Sequence, residues 1–306
     1  MSKPEAVGGL TLCMIVRNEQ ERLPRCLASV AGLVDELVVV DTGSTDATAR
    51  IAREHGAIVI DHDFSRPDFA QARNRGLDAA TGAMVLVLDA DEAMLPQSIP
   101  LVRELASRGG EIGWFVTRQN LPDGARAPAW VDYAVRLFPN RPDYRFRARV
   151  HETVDDAILA AGGRLLRSDV VIEHHLPADS VLEAKWRWYI ELLQVDLAHR
   201  PDDADRLVFL MADHYKLKQF DEATAITQRI AALRTDDFTA QFQAALCTFV
   251  HGRDALGARG YLAAARAIRP RDPEALELAT AIDAARGLAD MADVHGRHPH
   301  GPREQS

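Results

Sequence analysis

The chain reads as an α/β domain followed by an all-α region, and three features carry that reading. Short continuous apolar runs alternate with helical segments over roughly the first third, the pattern of a parallel sheet with right-handed crossovers. Beyond Glu111 this rhythm gives way to irregular strands with aromatics and arginines: GWFVT, YAVRLF and DVVIEHH. From about Ser180 apolar residues recur every three or four positions, as helices require.

Taken in order, Leu10–Val16 (LTLCMIV) is a strand buried on both faces, and Leu23–Val30 follows with helical spacing. Glu36–Asp41 (ELVVVD) is the second strand. GSTD then opens a helix that Ser44 or Thr45 would cap, with Asp46 at its positive end. Gly56 ends that helix, and Ala57–Ile60 is a third strand. FAQARNRGLDAATG is a helix closed by Gly82, and Ala83–Leu88 a fourth strand. The later strands are expected as an α+β extension laid against the sheet. Past VLEAKWRWYIELLQVDLAHRP come two helix pairs. Aligned on Phe220–Ala223 and Ala255–Ala258, they repeat near the ~34-residue tetratricopeptide period. Ala223 and Ala258 fall where helices must approach closely, and Pro270 at the repeat's terminal proline. The expected domains are therefore 1–179, 180–285 and a polar, disordered tail over 286–306 holding His295, His298 and His300.

At 306 residues the chain can bury a full core and hold more than one domain. A net charge of −9 argues against nucleic acid as partner, because phosphate binding needs a basic footprint. Cys13, Cys26 and Cys247 lack metal-type spacing and read as thiols of a reduced compartment. MSKPEAVGGL has no signal-peptide core, and no apolar run approaches the ~20 residues of a membrane span. The expectation is a cytoplasmic protein without a transmembrane segment, compatible with docking on a membrane surface.

Ligands of open α/β sheets bind beyond the carboxyl ends of the strands. Those ends carry Arg17-Asn18-Glu19, Asp41-Thr42-Gly43-Ser44 and Asp89-Ala90-Asp91-Glu92. No GxGxxG or GxxxxGK[ST] is present, so phosphate must be held another way. In extended backbone Asp89 and Asp91 point to one side, and two hard carboxylates at that spacing suit Mg²⁺ or Mn²⁺ with substrate phosphates. A solvated acidic loop after a core strand is the plainer alternative.

The ordered set CMIVRNE, DELVVVDTGSTDAT, DFAQARN and VLVLDADE resembles the family 2 glycosyltransferases. VRLFPN, RVHETV and VIEHH, followed by helical repeats, resemble the branch with a C-terminal tetratricopeptide region. The resemblance implies a GT-A fold, a mixed sheet flanked by helices, and inverting transfer from a nucleotide sugar, UDP-linked by preference, to a glycan, lipid-linked or protein acceptor. It implies that Asn18 and Glu19 meet the nucleotide, Asp41 the base and Arg73 the phosphates. Asp89 would face ribose and cation, Asp91 would bind Mn²⁺ or Mg²⁺ directly, and His174 (or its neighbour His175) would complete the metal site. Plain alternatives stand beside these: Asp41 as a turn former, Asn18 and Glu19 as helix caps, Arg73 paired with Asp78, His174 as a structural histidine. Many members use an Asp of a Glu-Asp dipeptide as base; none lies between Glu92 and Glu173. His151-Glu152 stands nearest, with Glu152 as base or acceptor orienter and His151 beside it. Two other readings are a helical-repeat interaction scaffold with a silent sheet domain and a nucleotidyltransferase. The repeats would offer a surface to a protein partner.

Overall fold

The computed structural model describes residues 8–122 and 124–296, with side chains to residue 285. In chain order the elements of the first part are β1 (Leu10–Val16), α1 (Leu23–Ser29), β2 (Glu36–Asp41), α2 (Thr48–Glu54), β3 (Ile58–Asp61), α3 (Phe69–Ala79), β4 (Met84–Val87), β5 (Glu92–Met94), α4 (Ile99–Ser107), β6 (Ile112–Leu121), β7 (Trp130–Pro139), α5 (Asp155–Ala160) and β8 (Arg164–His175). Six helices follow: α6 (Asp179–His199), α7 (Ala204–Lys216), α8 (Phe220–Leu233), α9 (Phe238–Val250), α10 (Ala255–Ile268) and α11 (Pro273–Gly296). The chain divides into two compact units at Leu182/Glu183, within α6.

In the first unit all strands form one mixed sheet, ordered β3-β2-β1-β4-β7-β6-β8-β5. β1 to β4 pair in parallel, so their carboxyl ends share one edge. The pleat sorts each apolar run between two cores. Leu12, Met14, Val39 and Leu86 pack on one face with α1 and α4, while Cys13, Val38 and Val85 pack on the other with α3 and α5. That two-sided burial is why these runs show no polar alternation.

Three local expectations change. The later strands are not laid against the sheet. They extend it, with β7 antiparallel on β4 and β6 parallel to β8, because β7 supplies the ladder partner that β4 would otherwise lack. α2 is not capped by Ser44 or Thr45, since it begins at Thr48 without a side-chain cap. Those two residues bond instead to the loop after β1: the Asn18 amide donates to Ser44 Oγ at 3.0 Å and the Thr45 amide to Asn18 Oδ1 at 2.8 Å. Gly82 lies beyond the end of α3, and its role is close packing. A Cβ there would stand 2.6 Å from Thr11 Oγ1 and 3.0 Å from the Gly9 carbonyl.

In the second unit each of α7 to α11 packs on the next, and Ala223 and Ala258 are buried, as expected of close helix crossings. Asp203, Asp237 and Asp254 cap α7, α9 and α10 through their carboxylates. The tail expected from 286 meets a helix that continues to Gly296, over alanine- and leucine-rich sequence of high helix propensity. Residues 297–306, with His298 and His300, and the side chain of His295 lie outside the described residues. No helix among the described residues is long and apolar enough to cross a membrane.

Candidate active site

The polar strand ends converge, as the parallel order of β1, β2 and β4 dictates. Asn18 has φ 55°, a left-handed conformation that asparagine tolerates. Together with the Glu19 amide, which donates to Thr48 Oγ1 at 2.7 Å, it ties the loop after β1 to the loop after β2. Asp41 is buried, and its Oδ1 accepts from the amides of Gly43 and Ser44 at 3.2 and 2.8 Å. It is thus a turn former, with Oδ2 left for an incoming donor.

Asp89 sits between two arginines. Its Oδ1 is 2.7 Å from Arg73 Nη2 and its Oδ2 is 2.9 Å from Arg136 Nη2. Burial alone would raise this carboxyl, but the two guanidinium groups hold it well below the usual range. Arg73 pairs with Glu152 as well, Nε to Oε1 at 2.6 Å, and not with Asp78, which Arg145 takes. Arg136 also meets Glu92, at 2.7 Å, and Glu92 Oε2 accepts from the Asp89 amide. Burial and the Asp89 charge push the Glu92 carboxyl upward against the pull of Arg136. Within this cluster Arg73 Nη1 and Arg136 Nε are buried without a partner among the described residues. Buried guanidinium groups with unspent donors suit an anion such as a diphosphate.

Both oxygens of Asp89 are therefore engaged by guanidinium groups. Asp91 differs: its Oδ2 lies 3.4 Å from His174 Nε2. The tautomer of His174 follows from its neighbour. Asn120 Nδ2 is directed at Asp132 Oδ2, 3.2 Å away, so Asn120 Oδ1 is the atom 2.7 Å from His174 Nδ1, which must carry the proton. His174 Nε2 then faces Asp91, donating to it when the imidazole is protonated and open to a cation when it is neutral. Burial opposes a charge on this imidazole, yet the Asp91 hydrogen bond and charge outweigh it and raise its pKa. A second hydrogen or a cation is what brings these two groups together. Among the described residues no three or more His, Cys, Asp or Glu side chains form a complete cation cage. An oxygen and an imidazole nitrogen with the rest supplied by phosphate fit Mg²⁺ or Mn²⁺. The neighbouring His175 pairs elsewhere, its Nε2 3.0 Å from Glu173.

His151 is half-buried at φ 55°, and Glu152 is drawn to Arg73 at 11% exposure. The Oε1 of the expected base is thus occupied by the Arg73 guanidinium group. The sequence reading missed Arg136, Arg118, Asn120 and Asp132. Arg118 forks onto Asp132 at 2.6 and 3.0 Å and stands 3.5 Å from Glu92. The Asp132 carboxyl, which burial would raise, is lowered by Arg118 and Asn120. A signal was present: an arginine amid the apolar run of YAVRLF has to meet a buried acid. Ladder register aligns Glu92, His174, Asn120 and Trp130 in one row across β5, β8, β6 and β7. Residues opposite one another in a ladder share a face.

Residues 11–174 match the family model described as glycosyl transferase family 2. A TPR repeat-containing protein of Synechococcus elongatus is 46% identical over 157 residues, 51% of this chain and 38% of that protein. An uncharacterized glycosyltransferase of Mycobacterium bovis is 38% identical over 124 residues, 40% of this chain and 53% of its own length. The chain thus spans about half or less of these relatives. The S. aureus TarS 1-349 structure in complex with UDP-GlcNAc superposes with a TM-score of 0.51 at 14% identity, covering 82% of this chain and 90% of that one, a likeness of fold.

Proposed function

We propose, for a chain that belongs to glycosyl transferase family 2, a metal-dependent, inverting transfer of a sugar from a UDP-linked donor to a glycan, lipid-linked or protein acceptor. The observation that carries this reading is the Asp91–His174 pair, with Nδ1 taken by Asn120 and Nε2 facing Asp91, beside two arginines with unspent donors. The TarS complex with UDP-GlcNAc supports the choice of a uridine donor.

Asp91 Oδ2 and His174 Nε2 would hold Mn²⁺ or Mg²⁺, which supplies Lewis-acid neutralisation of the departing diphosphate. Arg73 lends its free Nη1 to the phosphates and holds Asp89 for the ribose. The remaining Asp41 oxygen accepts from the base, and the interlocked Asn18–Glu19 loop frames the nucleotide. Glu152 fixes Arg73 and, through it, orients the donor against the acceptor, with His151 shaping the adjoining turn. The helical unit, 183–296, offers its stacked pairs to a protein partner.

A thermal-shift panel of nucleoside diphosphates with and without Mn²⁺ tests the reading. UDP at ~100 times its Kd with Mn²⁺ adds about 2.7 kcal/mol of stability, a rise of several degrees. Absence of any diphosphate-dependent rise with Mn²⁺ present would refute it.

A further inference from the structure

The row that contains His174 ends on an exposed aromatic. Trp130 opens β7 with 48% of its surface in water. A tryptophan buries on the order of 150–250 Å² when covered, so leaving half of one exposed forgoes much hydrophobic stabilisation. Its placement is fixed by register, because Asn120 pairs with Trp130 on one side and with His174 on the other. At about 4.8 Å per strand, the backbone of Trp130 stands about 10 Å from that of His174 on the same face.

The reacting carbon of a donor whose diphosphate is anchored at Asp91 and His174 lies next to the phosphate. A group one ring further away meets the acceptor instead. The rim of the aromatic face is polar. Asp132, two residues along the strand and therefore on the same face, has 36% of its side chain exposed and is forked by Arg118. Its Oδ1 retains a lone pair beyond those that Arg118 and Asn120 use. A flat apolar surface bordered by hydrogen-bonding groups fits a pyranose, whose C–H face lies on the π-cloud while its hydroxyls reach the rim. An alkyl chain would cover the indole but leave that rim unanswered.

The geometry points to Trp130, with Asp132 at its edge, as an acceptor subsite for a sugar ring. The acceptor would then be a saccharide, which narrows the glycosyl-transfer reading on which this inference rests. The test is saturation-transfer difference NMR on the full chain with methyl glycosides of glucose, galactose, mannose and N-acetylglucosamine, with and without UDP and Mn²⁺. At least one glycoside should receive saturation at its ring protons. Trp130→Ala should weaken that binding about five- to tenfold, the worth of one aromatic contact, and Trp130→Phe by less than about twofold. No saturation of any glycoside, or wild-type binding by Trp130→Ala, overturns the assignment. The UDP–Mn²⁺ thermal shift of the wild type reports separately on the donor site, so the two ideas fail by different measurements.

Discussion

Replacing Arg73 with methionine keeps most of the side-chain volume and removes the charge that links Asp89 to Glu152. Arg73 is 8% exposed, with contacts of 2.6 Å to Glu152 and 2.7 Å to Asp89. Breaking a buried pair by deleting one partner costs about 3–5 kcal/mol. Two features place this case at the low end. Asp89 is 30% exposed and keeps Arg136, and the deletion also removes the unpartnered Nη1, which returns about 1 kcal/mol. The expected net loss is about 2–3 kcal/mol, or about 5–10 °C in the transition of a unit this size. The pH dependence supplies a sign. Asp89 is depressed below its ordinary 3.8, so its pairing contributes stability above that value and loses it as pH falls through the folded pKa. The gap between wild type and Arg73→Met is then widest near neutrality and closes on acidification. Urea titrations carried from pH 7 to below pH 3 measure it. A gap under about 1 kcal/mol at pH 7, or one that does not vary with pH, would refute the described network.

Asp91→Asn should lower Mn²⁺-dependent turnover by about 10²–10³ while leaving Tm within a degree or two, because an amide is a poor hard-cation ligand; full activity at limiting Mn²⁺ removes Asp91 from the metal site. Glu152→Gln should weaken UDP affinity along with turnover, since it loosens Arg73; intact affinity with collapsed turnover restores Glu152 as the base. Glu36 accepts from Thr11 Oγ1 and from the amide and hydroxyl of Thr81, and although burial opposes it these bonds lower its carboxyl below the ordinary 4.5. Glu36→Gln should cost about 1 kcal/mol at pH 7, discounted for partial exposure, and nothing once the pH falls below the folded pKa; an equal deficit at pH 3 contradicts the linkage.

The parallel strands β1, β2 and β4 were legible because they are buried on both faces and read as unbroken apolar runs. The edge strand β3 was legible because it follows the same alternation with helices. The helix pairs were legible from their period. The place of β7 between β4 and β6 was not, since nothing local to YAVRLF says which strand it will pair with. Asp41, Asp89, Asp91 and His174 were legible as types at strand ends, and Arg73 as a charged residue within the helix α3. Their partners were not: the arginine that Asp89 would find, or the amide that fixes the His174 tautomer, lies tens of residues away and becomes adjacent only through the ladder. Ser44 and Thr45 show the reverse error. Both look like helix caps locally, and tertiary bonds to Asn18 claim them instead.

The acidic segment joins β4, in the interior of the sheet, to β5, which is its far edge. Its downstream end pairs in the sheet with β8, through Glu92 opposite His174 and the His175 amide on the Asp91 carbonyl at 2.9 Å, while Ser29 of α1 accepts from the Met94 amide. Closing that circuit needs residues more than eighty positions apart in sequence, an entropic cost met late in assembly. A nascent chain emerging amino end first can complete β1 to β4 long before it owns a donor site. A chain interrupted between Glu92 and His175 therefore carries Asp89, Asp91 and Glu92 without the strand that pairs with them, so the geometry of the acidic segment belongs to the finished unit.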